Sequence, residues 1–70
     1  MDKFLEVDGM QLRRLRRARA LSQRDLARIT GIAQDTISQL ETGKREAQPR
    51  TIRRLAEALS VEPSTLMKEE

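Results

Sequence analysis

The chain has 70 residues, of which 37% are hydrophobic, and it carries a formal net charge of +3. We therefore expect one small core and no second, ligand-sensing domain. Cysteine and histidine are absent, which excludes disulfides, thiol nucleophiles and the usual zinc ligands, and we expect neither a metal nor another cofactor.

Apolar residues recur at intervals of three and four along the chain, and no run alternates as a strand would, so the sequence predicts an all-α fold. The first predicted helix covers about residues 10–20, with arginines around its apolar stripe. Gly9 precedes this helix as a boundary. On this basis residues 1–9 form an N-terminal extension and residues 10–70 form the folded domain.

Two short helices follow, with about three residues between them. Ser22 caps the second helix, predicted over 23–30, and Gly31 ends it. The third helix is predicted over about 34–42, with Gly43 as its stop.

Prolines mark the starts of two more helices. Proline has no backbone N–H, and at the first helical position this group would have no partner within the helix, so its absence costs nothing. Pro49 opens the fourth helix and Pro63 opens a short fifth one. Residues 44–48 are polar, which indicates a surface loop between the third and fourth helices. The chain is thus predicted to be a compact five-helix domain.

The second and third helices carry the residues that a tight helix–helix corner requires. Ala27 permits close approach, Gly31 permits the positive φ that reverses the chain, and Ile32 fills the corner. Ile37 and Leu40 anchor the third helix on one side, which leaves its other face free.

At these positions the chain resembles the Cro/C1-type helix-turn-helix domains, or XRE family, of phage repressors and bacterial transcriptional regulators. The resemblance covers about residues 10–67, and the matching stretches are LSQRDLARITGIAQDTISQLETGK and IRRLAEALSVEPSTL. The chain departs from the family pattern at Ser60, where glycine often ends the fourth helix, and at Thr30, where an apolar residue is more usual.

The resemblance implies a lambda-repressor-like fold, with the helix-turn-helix formed by the second and third helices. It also implies sequence-specific binding of double-stranded operator DNA by a transcriptional regulator, with repression as the expected effect. In the family the recognition helix, here about residues 34–42, enters the major groove, and two domains related by a twofold axis bind the two halves of an inverted repeat.

Four residues of the third helix are candidates for base contact: Gln34, Asp35, Thr36 and Gln39. The amides of Gln34 and Gln39 can form bidentate hydrogen bonds with adenine. Thr36 can touch a thymine methyl group or act only as a spacer. Asp35 departs from the family pattern: it can accept a hydrogen bond from cytosine N4, but we favour a role in stabilising the helix N-terminus.

A second group of residues is placed to contact the DNA phosphates: Gln23, Ser38, Lys44, Arg45 and Arg50. Gln23 begins the second helix, whose backbone N–H groups can bind phosphate, and in the family it can also brace Gln34. The three basic residues follow the recognition helix, and each of them is alternatively a solvated surface group. Ser38 lies at the groove rim and is at best a minor contact.

Glu41 is an acidic residue near the end of a helix that must approach phosphates, so it requires a partner. The family pattern places an arginine of the first helix against it, and the matching residue is Arg16. The resemblance therefore implies a bidentate ion pair that ties the first helix to the third.

Charge is segregated along the chain. Residues 1–9 carry one lysine against three acids, residues 10–54 carry twelve basic groups against four acidic ones, and residues 55–70 carry one lysine against four glutamates. A basic middle segment suits a polyanion bound on one side of the domain, although a solvated arginine face would give the same distribution.

Other classes of protein compete with this interpretation. An enzyme is disfavoured, because no histidine, cysteine or tyrosine assists the scattered carboxylates and the core is too small for a deep pocket. A single-stranded RNA binder is disfavoured because Phe4 is the only aromatic residue. A protein-interaction module, such as an antitoxin that binds a toxin, remains the alternative.

The expected partners are double-stranded DNA and, on that DNA, a second copy of the chain. Candidate residues for the twofold contact are Val61, Leu66 and Met67. No apolar run approaches the roughly 18 residues of a membrane span, and residues 1–9 are acidic where a signal peptide would be basic, so we expect a cytoplasmic protein.

Overall fold

The computed structural model describes residues 3–68 and forms, over this range, four α-helices and one 3₁₀ turn. The elements are α1 (Gly9–Ala18), α2 (Gln23–Thr30), α3 (Gln34–Glu41), α4 (Pro49–Leu59) and the 3₁₀ turn (Pro63–Leu66). The predicted all-α class is confirmed. The predicted count of five helices is wrong, because the chain completes one 3₁₀ turn before Met67 returns to an extended conformation and pairs with Val7.

Helix α1 begins one residue earlier and ends two residues sooner than predicted. Asp8 caps its start by accepting a hydrogen bond from the backbone N–H of Gln11 at 3.1 Å. Ala20 has a φ of +54°, in the left-handed region that a right-handed helix does not use. The chain therefore turns at Ala20 and can start α2 after Ser22.

The corner between α2 and α3 forms as the sequence predicts. The Ser22 hydroxyl accepts a hydrogen bond from the N–H of Asp25, and the Asp25 carboxylate accepts one from the N–H of Ser22, both at 2.9 Å. This reciprocal capping box starts α2. Gly31 ends α2 with a φ of +75°, a conformation that is costly for a residue with a Cβ.

One hydrophobic core lies between the helices. Its largest side chains are at most 1% exposed: Leu12, Leu26, Ile37, Leu40, Ile52, Leu55, Leu59 and Leu66. Helix α3 contacts α1 and α2 and contributes Ile37 and Leu40 to this core. Each of these two side chains stabilises the fold by about 1.5–3 kcal/mol, which fixes the face of α3 that remains outside. Among the helices of residues 3–68, none has both the length and the apolar character needed to cross a membrane.

Residues 5–8 of the predicted N-terminal extension pack against the domain. Leu5 and Ala47 exchange two backbone hydrogen bonds, at 2.7 and 2.9 Å, and the N–H of Asp8 donates to the carbonyl of Leu66 at 2.8 Å. This segment therefore connects the loop after α3 with the 3₁₀ turn. The first two residues of the predicted extension and the last two of the predicted domain lie outside the described range.

Candidate nucleic-acid interface

Helix α3 has one buried face and one exposed face. Ile37 and Leu40 are fully buried, whereas Gln34, Asp35 and Gln39 are exposed. Because Ile37 and Leu40 anchor one side of α3 in the core, the amides of Gln34 and Gln39 on the other side present their donors and acceptors to solvent from a rigid helix.

Asp35 and Ser38 differ from the glutamines in their surroundings. Asp35 lies in the first turn of α3, whose N-cap residue, Ala33, provides no side-chain hydrogen bond. The carboxylate therefore supplies the negative charge that favours the positive end of the helix, which supports a stabilising role over base contact. Ser38 is half-buried, so less of its surface is accessible to a ligand.

A hydrogen bond joins α3 to the loop that follows it. The Nη1 atom of Arg45 donates to Oγ1 of the half-buried Thr36 at 2.9 Å. The sequence assigns these two residues to different contacts, Thr36 to a base and Arg45 to a phosphate, whereas the structure holds them as a pair. Their spacing of nine residues carries no signal for such a pair, because it depends on the path of the loop.

Lys44 and Arg50, the other two basic residues assigned to phosphate contact, are both exposed. The backbone N–H of Lys44 donates to the carbonyl of Gln39 at 2.9 Å, which holds Lys44 at the C-terminal end of α3. The Nε atom of Arg50 donates to Oε1 of Gln48 at 3.3 Å. Lys44 and Arg45 therefore lie in the loop after α3, and Arg50 lies in the first turn of α4.

Glu41 is the centre of a buried polar cluster at the C-terminal end of α3. Arg16 donates to both of its carboxylate oxygens, from Nε at 2.6 Å and from Nη2 at 3.0 Å, and its Nη1 donates to the carbonyl of Leu21 at 2.8 Å. Gln23 donates to Oε1 of Glu41 at 3.1 Å. The cluster ties α1, α2 and α3 together. The resemblance implies that Gln23 braces Gln34. In this structure Gln23 instead bonds to Glu41.

Burial and hydrogen bonding have opposite effects on the pKa of Glu41. Burial raises this pKa. The hydrogen bonds from Arg16 and Gln23 and the charge of Arg16 lower it by more than burial raises it, so the pKa lies below the ordinary value of 4.5. The hydrogen bond to Glu41 also raises the pKa of Arg16. Both groups are therefore charged at neutral pH, and the carboxylate is neutralised by its partner before a phosphate approaches.

The candidate residues for a twofold contact differ in accessibility. Leu66 is fully buried in the core, so its assignment to such a contact is wrong: the 3₁₀ turn directs its side chain inward. Val61 and Met67 are half-buried and pack against the core while part of their surface remains accessible.

Phe4 lies beside α3, a position that the sequence analysis did not predict. Its side chain is 56% exposed and lines a shallow depression together with Thr36 and Arg45. This position follows from the pairing of Leu5 with Ala47, which no spacing in the sequence predicts. The one available signal is that Phe4 is the only aromatic residue of the chain.

Comparison with known proteins identifies one family. A family model described as "Helix-turn-helix domain" matches residues 9–67, which is most of the chain. A solved structure, the restriction-modification controller protein C.AhdI from Aeromonas hydrophila, is similar with a TM-score of 0.80 and 39% sequence identity. This similarity covers 84% of the chain and 89% of the controller protein.

Two curated relatives come from Bacillus subtilis (strain 168). The uncharacterized HTH-type transcriptional regulator RghRB is 50% identical over 60 residues, which are 84% of the chain and 43% of the relative. The HTH-type transcriptional repressor RghR is 44% identical over 64 residues, which are 90% of the chain and 47% of the relative. Both relatives are named as regulators and neither as an enzyme. The chain spans less than half the length of these two proteins.

Proposed function

Because the chain belongs to the helix-turn-helix domain family, we propose that it binds double-stranded operator DNA sequence-specifically and regulates transcription, as a repressor. The observation that carries this proposal is the orientation of α3, which buries Ile37 and Leu40 and exposes Gln34 and Gln39. A helix held in this way fits the major groove, where glutamine amides can form hydrogen bonds with base edges.

The phosphate contacts in this proposal lie around α3. They come from Gln23, Ser38, Lys44, Arg45 and Arg50. Gln23 is the first residue of α2, where backbone N–H groups without helical partners favour an anion. The basic excess between residues 10 and 54 supplies the positive potential that attracts the DNA backbone.

We further propose that two copies bind one operator. Twofold symmetry predicts an inverted repeat whose half-site centres lie about one helical turn, ~34 Å, apart. Val61 and Met67, which follow α4 and keep part of their surface accessible, are the proposed contacts between the copies. Recovery of single, asymmetric sites alone would contradict this arrangement.

Selection of bound sequences from a random DNA pool tests the proposed function. The parent chain should enrich an inverted repeat, and its affinity for the selected sequence should fall steeply with salt, because phosphate contacts release counterions. Absence of any enriched sequence, together with salt-insensitive binding to a toxin or another protein, would instead support the alternative of a protein-interaction module.

A further inference from the structure

A shallow depression of about 230 Å³ lies where α3, the loop after α3 and the N-terminal segment meet. Residues that line it include Phe4, Thr36, Arg45, Gln48 and Thr51. Arg45 is one of the proposed phosphate contacts and Thr36 lies on α3, so the depression is continuous with the proposed DNA-contacting surface. Phe4 has no role in the contacts proposed above.

Backbone hydrogen bonds hold Phe4 at this position. Leu5, the next residue, donates to the carbonyl of Ala47 at 2.7 Å and accepts from its N–H at 2.9 Å. These bonds fix the chain beside the loop, yet the Phe4 side chain remains 56% exposed. Covering an exposed aromatic ring with a ligand removes apolar surface from water, which favours binding.

One guanidinium group, that of Arg45, lines the same depression as the ring, and a second, that of Arg50, is bonded to the lining residue Gln48. Arg45 donates to Thr36 at 2.9 Å, and Arg50 donates to Gln48 at 3.3 Å. A guanidinium has five N–H donors, so each arginine retains donors for an anion. Glu46 is the one acidic residue that lines the depression within the described part of the chain, and Arg45 balances its charge. Arg50, bonded to the lining residue Gln48, adds a second positive charge.

We propose that this depression is a further DNA-backbone site, in which Phe4 packs against a deoxyribose while Arg45 and Arg50 bind the adjoining phosphate. The inference rests on the proposed function, since the backbone reaches this site when α3 lies in the groove. A nucleic-acid backbone alternates apolar sugar surface with anionic phosphate, and the depression is lined by both an apolar ring and the guanidinium of Arg45. Because no base edge is involved, Phe4 adds affinity without sequence preference.

The test compares Phe4→Ala with Ile29→Ala on the selected operator and on scrambled DNA across a salt series. Ile29 is a matched control: its side chain is 57% exposed and lines a different depression, with Arg54 and Ala58. We expect Phe4→Ala to weaken binding to both DNAs by about fivefold, because an apolar contact is lost. The slope of log affinity against log salt should not change, since Phe4 is uncharged, whereas Arg45→Ala should reduce it by about one per site. Ile29→Ala should bind as the parent does.

A charge-matched pair makes the test independent of small changes in stability. Phe4→Glu and Ile29→Glu alter the net charge equally, so a larger loss in Phe4→Glu reports local repulsion of a phosphate. Unchanged affinity of Phe4→Ala, equal losses in the paired variants, or a loss restricted to the operator would each overturn the inference. If the parent chain itself enriches no DNA sequence, the proposed function fails and this inference falls with it.

Discussion

The guanidinium of Arg16 binds both carboxylate oxygens of Glu41, at a site where the two side chains are 9% and 3% exposed. Because water is largely excluded, removal of one partner leaves the other charge buried without compensation. We expect Glu41→Ala to lower the free energy of unfolding by about 3 kcal/mol, measured by urea denaturation.

The double variant Arg16→Met/Glu41→Leu is the control for this loss. It replaces both charges with apolar side chains of similar size, so it should be less destabilising than Glu41→Ala alone. Equal stability of Glu41→Ala and the parent would show that the pair is exposed in solution.

Stability at acidic pH depends on the same carboxylate. Burial raises the pKa of Glu41, but the hydrogen bonds from Arg16 and Gln23 and the positive charges of Arg16 and Arg13 together outweigh burial, so the folded pKa lies below 4.5. A carboxyl group with a lowered folded pKa adds stability above its unfolded pKa and loses that contribution as the pH falls through the folded pKa. We expect the free energy of unfolding to decrease below about pH 4.5, and Glu41→Gln to remove part of this decrease.

Asp25 provides the comparison for this pH dependence. Its pKa is also lowered, by hydrogen bonds from the backbone and side chain of Ser22, but it lies at the surface. Urea denaturation of Glu41→Gln and Asp25→Asn across the acid range should show the larger flattening in Glu41→Gln. The reverse order would contradict the importance of the buried pair.

Base contact and phosphate contact should separate by experiment. Gln34→Ala or Gln39→Ala removes an amide from a base edge, so operator binding should weaken by about 1–3 kcal/mol while binding to scrambled DNA changes little. Fluorescence anisotropy titrations on the two DNAs measure this difference, after thermal melting confirms that each variant folds. Equal losses on both DNAs, or no loss on either, would place α3 outside the major groove.

Lys44→Ala should have a different signature. Loss of a phosphate contact weakens binding to operator and scrambled DNA together, and it reduces the slope of log affinity against log salt by about one per site. The same titrations, repeated across a salt series, measure both quantities. A loss confined to the operator would instead make Lys44 a base-contacting residue.

Ser60 ends α4 with a φ of +57°, in the region that glycine adopts most easily. Glycine avoids a left-handed strain of about 1–2 kcal/mol in the folded state. It also increases the conformational entropy of the unfolded chain, which offsets part of this gain, so Ser60→Gly should stabilise the domain by about 0.5–1 kcal/mol. Thermal melting followed by circular dichroism measures the change. Ser64→Gly, in the 3₁₀ turn, is the control and should destabilise the domain; a loss of stability in both variants would contradict the argument.

Gly9 lies where the start of α1 meets the C-terminal end of α3. A Cβ at this position would overlap the carbonyl oxygens of Leu40 and Glu41. We expect Gly9→Ala to lower the free energy of unfolding by about 1–3 kcal/mol, because backbone must move. Met10→Ala changes the adjacent, exposed residue and should have little effect in the same denaturation experiment.

Local elements of this protein could be predicted from the sequence, because their causes lie within a few residues of each other. The capping box of Ser22 and Asp25, the left-handed Gly31 and the first-turn Pro49 each act over one helical turn. Together with the apolar spacing of α3, they define the corner of the helix-turn-helix and the face of α3 that remains exposed.

The tertiary structure decided the contacts of the N-terminal segment and of the loop after α3. Leu5 bonds to Ala47, and Arg45 bonds to Thr36, because the folded core brings their backbones together. The segment after α4 shows the same effect: Pro63 starts one 3₁₀ turn, after which Met67 is extended and pairs with Val7, a residue distant in the sequence. Spacing along a chain determines which face of a helix a residue occupies, whereas the partner across a loop depends on packing that no local pattern encodes.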